Sequence, residues 1–377
     1  MPISWEQAQA ESYLQGAHGF PNPGISHHPM SMMMPSPHLH AGMAHGMHMV
    51  PISVQQTMIP PIPYDENLVN SMGGSAREVA NSWAIRDGFN QQQLFEFDKL
   101  MNLVVSTYIE KDRVESSRAI DQGSFAKVYS ATYDGCPVAV KIIATPGQTH
   151  NIKAKMRELL LELSILVRVR HPNVVTFWGT TAHFPRGHGE AEPFISLVFE
   201  LCEKGSLEKV LFESPQKLSV EKKMDIALQV AYGLSYLHTS RAHDKRSIIH
   251  RDINTRNILI TNDWTAKICD FGCARVVYEG NRLTTTTISG SPAYMAPEQL
   301  LGEDLTEAVD VWAYATVLWE MMNERKPWGG PLHGDMEGLK EPAERPTMNQ
   351  VINLLQTAFD QLQSGIGKVE DSIAFSY

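Results

Sequence analysis

Apolar positions along this chain follow two periods, and one long stretch follows neither. Leu94, Phe97, Met101, Val104 and Tyr108 recur at helical spacing, so residues 91–112 are expected to form a helical extension. From Ser117 to Ile143 the pattern reads strand, turn, strand, turn, strand. Val128, Tyr129, Val138, Val140, Ile142 and Ile143 supply β-branched and aromatic residues there, and Asp134-Gly135 marks a hairpin. Residues 151–169 return to a helical period, with Met156, Leu159, Leu160, Leu163, Leu166 and Val167 on one face. Residues 195–202 read as a buried strand running into a connector. An amphipathic helix is expected from Val220 to His238, through Met224, Ile226, Ala227, Val230, Ala231, Leu234 and Leu237. Ile258-Leu259-Ile260-Thr261 and Ala266-Lys267-Ile268 then form two short strands about a turn at Asn262-Asp263, with a polar loop at each outer end.

The exception runs from about Gly16 to Pro63. It is crowded with Pro, His, Met and Gly, carries no charged residue and holds no period, so residues 1–90 are expected to be disordered. Thioether and imidazole groups at His38, His40, Met43, His45, Met47 and His48 would suit Cu(I) or Ni(II). A low-complexity tail is the plainer expectation, with a regulatory partner there as a further one.

Bulk properties narrow the classes. The formal net charge of −10 argues against nucleic acid as the main partner. The four cysteines (Cys136, Cys202, Cys269, Cys273) lack paired C-x-x-C spacing, which speaks against zinc and for a reducing, cytoplasmic setting. The N-terminus MPISWEQAQAESY has neither a basic region nor an apolar core, so no secretory signal is expected. The apolar stretch from Val309 to Met322 is interrupted by Asp310 and Glu320 and is too short to span a bilayer.

Candidate chemistry concentrates in two polar loops. His250-Arg251-Asp252-Ile253-Asn254-Thr255-Arg256-Asn257 precedes the short hairpin, and Cys269-Asp270-Phe271-Gly272 follows it, so Asp252, Asn257 and Asp270 should meet at one cleft edge. Two carboxylates and an amide oxygen suit a divalent cation, magnesium above all. Asp252, if left free of metal, can accept a proton from an incoming hydroxyl.

These loops resemble the catalytic and metal-binding loops of the eukaryotic protein kinases, and further motifs extend the resemblance from about Ser117 to Leu355. It implies an α+β bilobal protein kinase fold over residues 113–360, with an N-lobe at 113–199, a hinge at 200–204, a C-lobe at 205–360 and a C-terminal tail at 361–377. Ile120-Asp121-Gln122-Gly123 through Val128 is similar to the glycine-rich loop, although only Gly123 is kept and Asp121 and Ala126 stand where other glycines belong. Ile120, Gly123, Val128 and Ala139 would line the ATP site. Lys141, ending Val138-Ala139-Val140-Lys141, would hold phosphates. Counting back from His171-Pro172-Asn173, Glu162 is the match for its helix partner, with Glu158 one turn earlier as runner-up. The Glu200 carbonyl and Cys202 N–H would read the adenine edge, with Phe199 as gatekeeper. Asn257 and Asp270 would hold Mg2+, and Asp252 would act as base.

The resemblance also assigns regulatory and structural roles. His250 would pack beneath Phe271 and Gly272, and Arg251 would receive a phosphorylated residue of the activation segment, among Thr284, Thr285, Thr286, Thr287 and Ser289. Ser291 lies in Gly290-Ser291-Pro292-Ala293-Tyr294-Met295-Ala296-Pro297-Glu298, which is similar to the serine/threonine pattern. Asn254 stands where serine/threonine kinases carry a lysine, while Arg256 matches tyrosine kinases; such mixing suits the tyrosine-kinase-like group. Asp310 would anchor the catalytic loop, and Arg345 would pair with Glu298. Between Trp328 and Arg345 about two dozen residues of the family's fold are absent. A truncated gene product and exposed apolar surface are the expected corollaries. The partners implied are ATP and a protein substrate phosphorylated on Ser or Thr. The alternative is a kinase-fold scaffold with little turnover.

Overall fold

The structure is a computed structural model that describes residues 77–122, 127–143, 150–186, 193–239, 246–278, 282–284, 289–327 and 341–364. All of these belong to one unit, Glu66–Tyr377. Gly123, Thr285, Thr286 and Thr287 lie outside the described residues, as do the Met/His-rich stretch and residues 328–340 and 365–377.

The chain enters as a helix, α1, over 77–86, followed by α2, Gln91–Ser106. Asn90 caps α2, its side chain accepting from the Gln93 N–H while Gln93 reaches back to the Asn90 N–H. The expectation that residues up to 90 are disordered is corrected here for 77–90. Ala80, Trp83 and Ala84 make a stripe too short to be read as periodic from sequence, but it is buried on folding. Trp83 meets Phe89, Phe97 and Phe184 at ring-centroid distances of 5.5, 5.9 and 5.2 Å, so the first helix is stapled by aromatic packing over a long sequence separation.

Five strands form the next layer: β1 (Val114–Gln122), β2 (Lys127–Tyr133), β3 (Cys136–Ile142), β4 (Phe177–His183) and β5 (Phe194–Glu200). They pair antiparallel in the order β1-β2-β3-β5-β4. The turn between β2 and β3 is at Asp134-Gly135, both with positive φ. Inserted between β3 and β4 is α3, His150–Leu166. One sheet face buries Ala131, Val138, Val140 and Val198 against Ile109 of the entering segment. That segment is also hydrogen-bonded to β4: the Ile109 N–H donates to Thr180 O at 2.7 Å, and the Thr180 N–H to Thr107 O at 2.8 Å. A Cβ on Gly179 would sit 2.4 Å from Thr107 O, so this close approach needs glycine.

The remainder is mostly helical. After a short strand β6 (Gly205–Ser206) come α4 (Leu207–Phe212) and α5 (Val220–His238), each capped by a serine hydroxyl, Ser206 and Ser219. Strands β7 (Arg246–Ile249), β8 (Ile258–Ile260), β9 (Ala266–Ile268) and β10 (Arg275–Tyr278) form two small sheets, β7 with β10 and β6-β8-β9. Helices α6 (Pro297–Leu301), α7 (Ala308–Asn323) and α8 (Met348–Gln363) complete the described chain. Ile249, Val277, Leu283, Ala296, Leu305, Val309 and Trp312 share one buried cluster beneath the catalytic-loop region. The expected two-lobed α+β architecture is therefore the one observed. Among the described residues no helix is long and apolar enough to cross a membrane. Leu301, at the end of α6, is 73% exposed, and Trp319 and Met322 of α7 are partly exposed as well.

Candidate active site

The site lies between the two lobes, and each side chain reaches it for a local reason. Lys141 sits near the end of β3, paired across to Val128 of β2 and Leu197 of β5, so its backbone is fixed on both sides. Its Nζ lies 2.8 Å from Glu162 Oε1 on α3 and 2.8 Å from Asp270 Oδ1. Glu162, not Glu158, is thus the residue brought to the lysine. Burial opposes charge on Lys141, but Asp270 and Glu162 outweigh it and hold the ammonium above its ordinary range. Asp270 is held below the usual carboxylate range, chiefly by Lys141. Glu162 is pushed up by burial, which outweighs the lowering effect of Lys141 beside it.

Asp270 adopts left-handed backbone geometry (φ 63°, ψ 77°) where β9 turns into a short 3-10 turn, Phe271–Cys273. This is costly for a residue with a Cβ, and the neighbouring contacts hold it there. Phe271 is 1% exposed and meets the His250 ring edge-on at 5.1 Å. His250 Nε2 bonds to Cys269 O at 3.0 Å, while Nδ1 accepts from the Asp252 N–H at 3.4 Å; the carbonyl partner makes Nε2 the protonated nitrogen. His250 therefore bridges the two polar loops.

Asp310 secures this bridge from α7. Its Oδ2 accepts from the His250 N–H at 2.8 Å and meets His238 Nε2 at 2.9 Å; its Oδ1 accepts from the Arg251 N–H at 2.8 Å. Burial would raise the Asp310 carboxyl, but donors led by His238 bring it below the usual range. Arg251, at φ 68°, also has left-handed backbone geometry, and Asp310 is positioned to stabilise it. Its side chain is buried, and burial with the like charge of Arg275 draws it down to about 10.

Asp252 is the most heavily bonded carboxylate in the cleft. Oδ1 accepts from Ser291 N at 2.8 Å and Asn254 Nδ2 at 2.9 Å, whereas Oδ2 accepts from Asn257 Nδ2 at 2.9 Å. Asn257 Nδ2 also donates to Asp252 O at 2.8 Å. With its nitrogen given to two acceptors, Asn257 keeps its carbonyl oxygen for another partner. That oxygen and the Asp270 carboxylate are hard donors of the type a magnesium ion takes, so the residues present fit such an ion.

The cleft wall expected to face nucleotide is built from β1, β2, β3 and the chain after β5. Ala139 lies opposite Phe199 in the sheet register, and Ile120 on β1 is 41% exposed. The Glu200 carboxylate accepts from Thr176 N at 2.6 Å and from Lys267 Nζ at 2.9 Å, which ties the connector to both lobes. Cys202 is buried, and burial followed by the charge of Glu200 pushes its thiol up to about 12.

Of the activation-segment residues, Thr284 donates to Asp304 Oδ1 at 2.7 Å, and Ser289 O accepts from Gln299 Nε2 at 2.7 Å. Gln299 also donates to Arg251 O at 3.0 Å. A Cβ on Gly290 (φ 119°) would lie 2.7 Å from Arg251 O, so this contact requires glycine. Arg345 makes a two-pronged contact with Glu298, Nη1 to Oε1 at 2.5 Å and Nη2 to Oε2 at 2.8 Å. Sequence reasoning missed Gln299 and the buried group in which Glu320 Oε2 accepts from Tyr294 at 2.5 Å and Thr255 at 3.1 Å. Glu320 in the apolar stretch of α7 was the available signal: a buried acid needs donors.

Comparison with known proteins agrees with this geometry. Residues 114–350 match the family described as protein tyrosine and serine/threonine kinase. A probable serine/threonine-protein kinase of Dictyostelium discoideum is 30% identical over 289 residues, covering 75% of this chain and 29% of the relative. The serine/threonine-protein kinase CTR1 of Arabidopsis thaliana is 34% identical over 212 residues, covering 56% and 24%. A receptor-like serine/threonine-protein kinase of Arabidopsis thaliana is 32% identical over 256 residues, covering 63% and 32%. The chain therefore matches only between about a quarter and a third of the length of these three relatives. On the match across most of both lobes, the chain belongs to the protein tyrosine and serine/threonine kinase family.

Proposed function

We propose that the chain transfers the γ-phosphoryl group of ATP to a Ser or Thr hydroxyl of a protein substrate. The observation that carries this is the closed triad in which Lys141 Nζ lies 2.8 Å from both Glu162 and Asp270 while Asp252 is held nearby by Asn257. A scaffold without turnover has no use for so polar an assembly, since each charge opposes burial.

In this reading Lys141 holds the nucleotide phosphates and Glu162 holds Lys141. Asn257 and Asp270 bind a magnesium ion, which supplies positive charge to the phosphates when present. Asp252 orients the substrate hydroxyl and takes its proton. Oδ1 already accepts two donors and Oδ2 one, so Oδ2 is the oxygen with capacity to receive it. As the hydroxyl oxygen bonds to the γ-phosphorus, the bond from that phosphorus to the bridging oxygen breaks, and ADP leaves with its electron pair. Catalysis is then mainly positioning and charge complementarity.

Several finer assignments belong to the same proposal. Preference for Ser or Thr is supported by the names of the relatives and by Gly290–Glu298. Membership of the tyrosine-kinase-like group rests on Asn254 and Arg256 together with that segment. The shortened interval before Arg345 is read as coding sequence missing from a truncated gene product, and exposed Leu301 supports a C-lobe that lacks part of its cover. A cytoplasmic setting is supported by four free cysteines, and a regulatory partner is assigned to the region ahead of α1.

The test has two stages. Mg-ATP should raise the melting temperature of the full chain, and labelled phosphate should then move to a Ser/Thr substrate. Asp252→Asn should bind nucleotide equally and transfer nothing above background. Equal transfer by wild type and Asp252→Asn would remove the enzyme reading.

A further inference from the structure

Between β3 and β4 the chain detours through α3, and α3 carries Glu162. Glu162 is 5% exposed. A buried acid gains hydration by moving outward, so the helix that bears it needs packing to oppose that motion. Above all, α3 packs against two elements, α2 and the 3-10 turn Phe271–Cys273. The turn belongs to the cleft itself. In contrast, α2 comes from ahead of residue 114, where the family match begins, and is an addition to the matched domain. Phe97, Leu100, Met101 and Val104 give α2 a buried face, as Met156, Leu159, Leu160 and Leu163 do for α3.

A lone helix of 16 residues is marginal in water and holds nothing in place by itself. Two fastenings tie α2 to β4. Near its middle, Phe97 meets Phe184, the residue after β4, edge-on with ring centroids 5.7 Å apart. At its end, all three polar groups of Thr180 are committed. The hydroxyl donates to Val104 O at 2.8 Å, the N–H donates to Thr107 O at 2.8 Å, and the carbonyl accepts from the Ile109 N–H at 2.7 Å. Val104 lies in the last turn of α2, where carbonyls have no following turn to bond, so β4 supplies a cap from 76 residues away. Because β4 ends the five-stranded sheet, the bridge between Tyr108 and Thr180 also covers its open edge.

We infer that Thr180 is a positioning residue for phosphoryl transfer: it fastens α2 to the sheet, and α2 so fastened holds α3 where Glu162 meets Lys141. The inference rests on the kinase reading and adds to it an element outside the family match. Thr180 and Lys141 stand in one row of the sheet with Leu197 between them. An effect relayed through the sheet would therefore reach Lys141 whatever stands at position 162. An effect relayed through α2 and α3 needs Glu162.

Thr180→Val keeps the shape of the side chain and removes its donor, while Thr180→Ser keeps the donor. In the full chain, Thr180→Val should lower kcat about tenfold, the scale of one lost hydrogen bond, and Thr180→Ser should stay within about twofold of wild type. In a Glu162→Ala background, Thr180→Val should change kcat by less than about twofold, because the relay then ends on a side chain that cannot pair with Lys141. Hydrogen exchange of the α3 amides in Thr180→Val should accelerate about tenfold while that of α5 stays within about twofold, which general destabilisation would not produce. Phe184→Leu, which loosens the other fastening, should repeat this pattern, and it carries the test if Thr180→Val does not fold. An equal loss of kcat in both backgrounds, or α3 exchange no faster than in wild type, overturns the inference. An inactive wild-type chain would overturn the kinase reading instead, and α3 exchange would then decide by itself whether Thr180 holds that helix.

Discussion

Two ion pairs of similar chemistry sit in this molecule under opposite conditions. Arg345 and Glu298 are sealed, with side chains 0% and 3% exposed, and their two parallel contacts are backed by Trp312, whose ring centroid lies 5.1 Å from the guanidinium. Lys141 and Glu162 are 18% and 7% exposed, share the lysine with Asp270 at 46%, and face a cleft. The first pair has one arrangement open to it, because either partner alone would be an uncompensated buried charge. The second has a competitor for its cation and one partner on α3, an element inserted between two strands. Identical charges thus serve as a fixed joint in one lobe and as an adjustable contact in the other. Geometry around the pair, rather than the pair itself, makes the difference.

The contrast can be broken from its rigid end first. Arg345→Ala should leave Glu298 buried without its partner and destabilise the chain by about 3–5 kcal/mol, read by denaturant unfolding. Next, Lys141→Met should lower kcat by on the order of 10²–10³-fold, with much less effect on unfolding, because in the proposed reaction the lost contacts position the nucleotide phosphates. A stability loss equal to that of Arg345→Ala would erase the distinction. Thr180→Val tests what stands behind α3. Thr180 Oγ1 donates to Val104 O at 2.8 Å, so its loss should cost about 1–2 kcal/mol and loosen the join between α2 and β4 in hydrogen exchange.

The smallest expected effect is a pH dependence at Asp270. Lys141 depresses its folded-state pKa, so its stabilisation is fully present above the unfolded carboxylate value near 4 and is lost as pH falls through the lower folded value. The carboxylate is half exposed, and solvent screening limits the term to under about 1 kcal/mol. Wild type should therefore exceed Asp270→Asn in stability at pH 6, and the gap should close toward pH 3. A gap that widened on acidification would reverse the assigned sign.

The N-terminal boundary shows how local patterns can be too short to read. Trp83 and Phe89 lie in a stretch too short for a period to be read, and Phe97 and Phe184 pack against Trp83 on folding. The segment 77–109 lies ahead of the family match beginning at 114, yet it is hydrogen-bonded into the sheet at Thr180. Glu162 was legible only through the resemblance, which places the helix glutamate by counting back from His171-Pro172-Asn173. Gln299 was not, nor was the bond from the Ser291 N–H to Asp252, since nothing in the neighbouring residues announces contacts with Arg251 and Asp252.

By itself the sequence carried the strand and helix periods and the loop motifs whose resemblance to the protein kinases implied the two-lobed α+β fold, because these are local properties of the chain. Tertiary structure alone decided which oxygen of Asp252 stays open, how Asn254 spends its amide and which ion pair is sealed. Those outcomes depend on groups that are dozens of residues apart, and hydrogen-bond capacity and burial are properties of the assembled neighbourhood.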